Sequence, residues 1–147
     1  MTSPVVRIGA LFILCLALGA TAAVGAAAPP SGALSCATSQ QPKMVAELLF
    51  GRNIGDRGRV SAPAWARFVA REIAPRFPDG LTITDAIGRW RDRQNGRPVR
   101  EASKRVEIVL PGHGDDEMRL EAIVAAYKRR FRQQSVGVIV WPACVAF

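Results

Sequence analysis

The feature that most limits what this chain can fold into is its first 28 residues. Met1 to Ala28 hold a single charge, Arg7. An apolar run from Ile8 to Ala20 follows it, and small residues continue through Ala28. A charged start, an apolar middle and a small-residue cleavage zone are the parts of a secretory signal peptide. Read so, cleavage falls between Ala22 and Ala28, and what remains is about 115 residues, the size of one domain. The domain then works outside the cytoplasm, periplasmic or secreted. Two other readings stay open. The apolar stretch is long enough to span a bilayer as an uncleaved anchor, although its second half is Ala and Gly. Ala33-Leu34-Ser35-Cys36 has a small residue before its cysteine, as in a lipid-anchored protein, but lacks the leucine usual three places earlier.

Export changes how charge and cysteine are read. The chain has 20 Lys and Arg against 12 Asp and Glu, a net charge of +8, or +7 without Arg7. In a cytoplasmic protein this excess suggests nucleic acid. Outside, the expected anions are lipid head groups, cell-wall polymers or an acidic partner, unless the charge serves only solubility. Cys15 leaves with the signal, and Cys36 and Cys144 remain. An oxidising compartment can join such a pair; the alternative is a free N-terminal thiol and a buried Cys144. Two cysteines and the lone His113 do not make a four-ligand zinc site, so no metal or cofactor is expected.

Residues 29–43 are rich in Pro, Ser, Gly, Gln and Thr and read as a flexible linker. The domain is expected over 44–147. From Met44 to Phe50 the chain alternates, with Ala46, Leu48 and Phe50 on one face and Val45, Glu47 and Leu49 on the other, which predicts a strand. Ser61 caps a helix with Pro63 in its first turn. Trp65, Phe68, Val69, Ile73 and Phe77 recur at helical spacing until Pro75 distorts or ends it. Asn95-Gly96 is a strong two-residue hairpin signal. A turn there sets Ile83 opposite Ile108 and Leu81 opposite Leu110, with a bulge near Gly88 left open. A second helix opens on Asp115, Asp116 and Glu117 and closes on Lys128, Arg129, Arg130 and Arg132, as the helix dipole favours. Leu120, Ile123, Val124, Tyr127 and Phe131 form its buried stripe. Val136 to Trp141 is a last strand. The order βαββαβ predicts an α+β, ferredoxin-like domain, a four-stranded antiparallel sheet with two helices on one face. In that fold Cys144 lies near the start of the first strand, within reach of Cys36.

If the helices cover Ala46, Leu48, Phe50, Val106, Ile108 and Leu110, the open face carries Glu47 and Glu107 on the two central strands. Neighbouring carboxylates can divide acid and base roles, and Arg105 shares their face. The plainer alternatives are a solvated, ion-paired surface or a homodimer face, since Leu49, Val109, Ile139 and Trp141 point the same way. The acids also argue against nucleic acid, because an RNA-binding sheet needs aromatics there. Arg89, Arg91, Arg93, Arg97 and Arg100 crowd the outer hairpin beside Trp90. Such a ribbon can grip a polyanion or a membrane surface, or simply protect a sheet edge. His113, in Pro111-Gly112-His113-Gly114, reads as a loop residue, with no nucleophile placed near it.

Several stretches together resemble a known family. They are Glu47-Leu48-Leu49-Phe50-Gly51, Pro75-Arg76-Phe77-Pro78-Asp79-Gly80-Leu81-Thr82, Trp90-Arg91-Asp92, and Arg100-Glu101 with Ser103-Lys104. Phe131 with Gln133, Ser135 and Val136 follows, and then the ending Pro142-Ala143-Cys144-Val145 with Phe147. The chain resembles the bacterial domain-of-unknown-function family numbered 3574 over nearly all of 44–147. Gln134 and Arg105 depart from its pattern. The resemblance implies a small exported single-domain protein and no particular activity. It directs attention to Arg76, Asp79, Trp90, Arg91, Glu101 and Lys104 as binding residues. Two functions are therefore carried forward. One is an exported binding or envelope-associated domain. The other is a cofactor-free enzyme with Glu47 or Glu107 as acid or base and Arg91 or Lys104 holding an anionic substrate.

Overall fold

The computed structural model describes residues 34–55, 58–92 and 95–147, which belong to one compact unit, Ala33–Phe147. Residues 1–33, where the signal peptide and the start of the linker are expected, lie outside the described residues. The elements are β1 (Gln41–Gly51), α1 (Ala62–Phe68), β2 (Thr82–Arg91), β3 (Pro98–Val109), α2 (Asp116–Phe131) and β4 (Gly137–Val145). They form the expected ferredoxin-like arrangement, a four-stranded antiparallel sheet in the order β2-β3-β1-β4. Among the described residues, no helix is long and apolar enough to cross a membrane.

The inner sheet face and the helices share one core. Ala46, Leu48, Phe50, Val106 and Ile108 meet Trp65, Phe68, Ile123, Tyr127 and Phe131. Phe50 is the hub, with ring centroids 4.7 Å from Tyr127 and 5.2 Å from Trp65 in edge-to-face contacts, an arrangement aromatic quadrupoles favour. Ser61 caps α1 by accepting from Ala64 N–H at 3.3 Å. After Phe68 the helix widens into a π-helical turn, Val69–Ile73. Pro75 is the physical cause, since its ring crowds the preceding turn and it offers no N–H. The core ends beyond α2. The inner face of β4 is left partly uncovered, with Val138 and Val140 still 43% and 45% exposed.

The structure differs from the sequence expectation in four places. β1 begins at Gln41, not Met44, because Gln41, Pro42 and Lys43 pair with Val145, Cys144 and Ala143; these three residues belong to the sheet and not to the expected linker. The β2–β3 ladder pairs Ile83 with Val106, not Ile108. Asp92 N–H donates to Arg97 O (2.9 Å) and Gly96 N–H to Asp92 O (2.8 Å), so the loop is longer than a two-residue turn. The offset is two residues, an even number, and every side chain keeps its expected face. No bulge interrupts the ladder at Gly88, which pairs with Glu101. β4 runs on to Val145, which carries Cys144 into the sheet. There it is bonded to Cys36, with S–S 2.06 Å and Cα atoms 5.4 Å apart.

Candidate functional site on the open sheet face

Glu47 and Glu107 are direct cross-strand partners on the central strands. Arg105 stands diagonally between them, its Nη2 2.6 Å from Glu47 Oε2 and 3.6 Å from Glu107 Oε2. Period-two alternation brings the arginine to the same face as Glu107. One guanidinium thus offsets the mutual repulsion of two adjacent carboxylates. Val45 is buried on this open face because its neighbours across the ladders are Val109 and Trp141.

A second constellation lies farther along the same face. Gly88 is the ladder partner of Glu101, and Trp90 is its diagonal neighbour, a spacing an aromatic ring can bridge. Trp90 Nε1–H donates to Glu101 Oε1 at 2.6 Å, and Asn53 N–H donates to Oε2 at 2.7 Å. The loop after β1 supplies that amide. Val60 N–H donates to Arg52 O and Ile54 N–H to Gly58 O, which folds the loop back on itself. From the other side, α2 ends at Arg132, whose φ of 52° turns the chain so that Gln133 Nε2 donates to Asn53 O at 2.6 Å. The result is a depression of about 330 Å³. Gly51, Trp90, Glu101, Ser103, Gln133 and Ser135, all carriers of the family resemblance, line it.

The glycines shape this depression. A Cβ on Gly51 would collide with Glu101 Oε1, and one on Gly137 would meet Leu49 at 3.2 Å. Gly51 therefore lets the carboxylate lie flat on β1. Beneath it, Tyr127 Oη donates to Gly51 O at 2.8 Å. Burial pushes the Tyr127 hydroxyl well above the usual tyrosine range, the nearby Arg52 opposing and Glu101 adding to the shift.

The other expected binding residues do not join this site. Arg76, in the turn after the π-helical segment, pairs with Glu72 at 3.1 Å. Asp79 is exposed in the turn before β2. Arg91 Nη1 donates to Gly96 O within the hairpin loop. Lys104 is on the inner face, 2.6 Å from Asp85; its hydrogen bond, then its charge, hold the Asp85 carboxyl below the usual carboxylate range. Arg93 lies outside the described residues. Gly88 and Gly137 also line the depression, and the sequence signal for them is a glycine inside a strand pattern, which marks close approach or missing bulk.

Two other features stand apart. A larger apolar groove, about 760 Å³, runs between α2 and β4 and is lined by Met44, Leu110, Leu120, Val124, Val138 and Val140. At its end the buried Asp116 accepts from Gly112 N–H and His113 N–H through Oδ2, so this carboxylate organises the loop that holds His113. The second feature is electrostatic. The hairpin end carrying Arg89, Arg91, Arg97 and Arg100 lies at the same end of the domain as Lys128, Arg129, Arg130 and Arg132, because Gln133 and Gln134 share the depression with Arg89 and Trp90. Among the described residues, no group of three His, Cys, Asp or Glu is placed to hold a metal ion.

Solved structures resemble this fold at low identity. A phage SAM lyase in complex with S-methyl-5′-thioadenosine has a TM-score of 0.57 and 17% identity, over 80% of this chain and 97% of that one. The same type of enzyme in its apo state gives 0.52 and 19%, over 72% and 90%. A putative PII-like signaling protein from Thermus thermophilus gives 0.43 and 17%, over 74% and 93%. At such identities the likeness concerns the fold. No functionally curated protein matches the chain. Residues 45–147 match the family described as protein of unknown function (DUF3574), and the chain belongs to it.

Proposed function

We propose that this is an exported, periplasmic or secreted domain that binds an anionic component of the cell envelope through its basic end. The observation that carries this reading is the pairing of Arg89 with Arg100, directly opposite each other in the β2–β3 ladder and both exposed. Like charges in that position destabilise a sheet. Among the described residues neither has an acid within ion-pair distance, so an external anion is the natural way to offset the repulsion. Ile87, 61% exposed on the same side of the ribbon, adds an apolar contact suited to a lipid surface. Export is supported by the composition of residues 1–28 and fits the Cys36–Cys144 bond. A homodimer through the open face would cover Leu49 and Ile139. The alternative, a cofactor-free enzyme using Glu47 or Glu107, is less favoured because Arg105 already occupies their shared charge.

The test is cosedimentation with vesicles of phosphatidylglycerol and phosphatidylcholine against vesicles of phosphatidylcholine alone. Binding to the anionic vesicles alone, falling steeply with added salt, is expected, as is its loss in the Arg89→Glu/Arg100→Glu double variant. Equal binding of the double variant, or no binding to either vesicle, overturns the reading. An unreduced intact mass from the native host, starting between residues 22 and 28 and two hydrogens light, is the expected mark of the exported form.

A further inference from the structure

A buried carboxylate normally has a cation beside it, because a charge taken out of water is costly unless paired. Glu101 is 7% exposed. Its two partners are neutral donors, Asn53 N–H and Trp90 Nε1–H. Among the described residues no Lys, Arg or His nitrogen lies within ion-pair distance of it. A carboxylate accepts about four hydrogen bonds, so roughly half its capacity is unused by the protein. The depression beside it is lined by Gly51, Gly88 and Gly137, which put no side chain of their own into it. Its volume of about 330 Å³ is that of a small-molecule site. Leu49 and the Trp90 indole supply apolar wall, and the Ser103 hydroxyl is a further polar group. Arg89 reaches its rim, yet strand alternation turns that side chain to the opposite face from Trp90. The site is thus negative at its floor in a chain that is positive overall.

We propose that this depression binds a small organic cation, a primary ammonium, guanidinium or amidinium on a short apolar or planar body, with Glu101 as its counter-ion. The charge completes the acceptor capacity of Glu101 through charge-assisted hydrogen bonds. The body lies against Leu49 and Trp90, where an aromatic neighbour also favours a cation. The site is on the open face and uses none of the arginines assigned to envelope binding, so either proposal can fail without the other.

The purified protein, with its disulfide intact, is titrated in turn with agmatine, benzamidine and cadaverine, and with neutral benzamide as control. Tryptophan emission and calorimetry are the readouts. At least one cation should bind saturably at one site per chain, and benzamide should not. Glu101→Gln should weaken that binding at least tenfold, and Asp79→Asn, which removes an exposed carboxylate away from the depression, should leave it unchanged. If Glu101→Gln does not fold, Leu49→Trp, which fills the depression from its exposed wall, must abolish binding instead. Absence of binding by all three cations, or equal binding by Glu101→Gln or by Leu49→Trp, overturns the proposal.

Discussion

The carboxylate of Glu101 occupies the space that any side chain at position 51 would need. A Cβ built on Gly51 falls onto Oε1 and lies 2.8 Å from Cδ. A residue on β1 and a residue on β3 are therefore committed to each other, and the same glycine offers its carbonyl to Tyr127 on the core side. The floor of the depression and the roof of the core are one peptide unit.

Gly51→Ala should accordingly be costly although it adds one methyl group. It displaces the carboxylate and breaks the bonds from Asn53 and Trp90, so a loss of about 2–4 kcal/mol is expected from overpacking and stranded donors. Urea denaturation measures it. Gly88→Ala, whose Cβ would meet Ser103 Oγ at an ordinary 3.4 Å, should stay within about 1 kcal/mol of the parent, the usual range for glycine in a strand. Equal stability of the two variants would show that Glu101 relocates freely.

Tyr127 is the only tyrosine in the chain, which makes its ionisation easy to follow. Its folded-state pKa is raised above the ordinary value of 10.0 by burial. The stability it contributes is fully present below that value. It is lost as pH rises beyond it, because the unfolded chain ionises first. Absorbance of tyrosinate should therefore appear together with alkaline unfolding and not before it. In Tyr127→Phe the alkaline decline should be shallower, at the expense of about 0.5–1.5 kcal/mol at neutral pH from the lost bond to Gly51 O. Titration near pH 10 in a chain that remains folded would contradict the burial.

The Cys36–Cys144 bond closes a loop with a sequence separation of 108. Cross-links over loops of that length stabilise proteins by about 2–5 kcal/mol, chiefly by restricting the unfolded chain. Cys36→Ser, or reduction of the parent, should lower the unfolding free energy by that amount in urea. The β1–β4 pairs at Gln41 and Pro42 should exchange their amides, where present, faster than those at Glu47. Unchanged stability on reduction would mean that the N-terminal segment is held by the sheet alone.

Much of the architecture was legible because it rests on periodicity. The alternation of Ala46, Leu48 and Phe50, and the helical spacing of Leu120, Ile123, Tyr127 and Phe131, depend on local geometry that any register must respect. Face assignment survived the error at Asn95-Gly96 for the same reason, since the error was an even number of residues. The adjacency of Glu47, Glu107 and Arg105 was legible too, as it follows from strand order and alternation. The turn itself was not, because a loop closed by Asp92 and Arg97 is decided by backbone hydrogen bonds that a dipeptide signal does not encode.

The Glu101 site stands on the other side of that line. Glu101 stands out in the sequence only through family resemblance, and Trp90 through that and its place beside the hairpin arginines; both fall in one group with Arg76, Asp79, Arg91 and Lys104, and nothing in their spacing separates the two kinds. What separates them is contact between segments far apart in the chain, Asn53 N–H to Glu101 across 48 residues and Gln133 to Asn53 O across 80. By itself, the sequence determined which residues face the core, the order of the elements, the excess of positive charge and the family. Only the tertiary structure decided that Glu101, among the described residues, is buried with no cation within ion-pair distance and beside a depression. Burial and unfilled space are properties of how surfaces meet, and no single segment of the chain carries them.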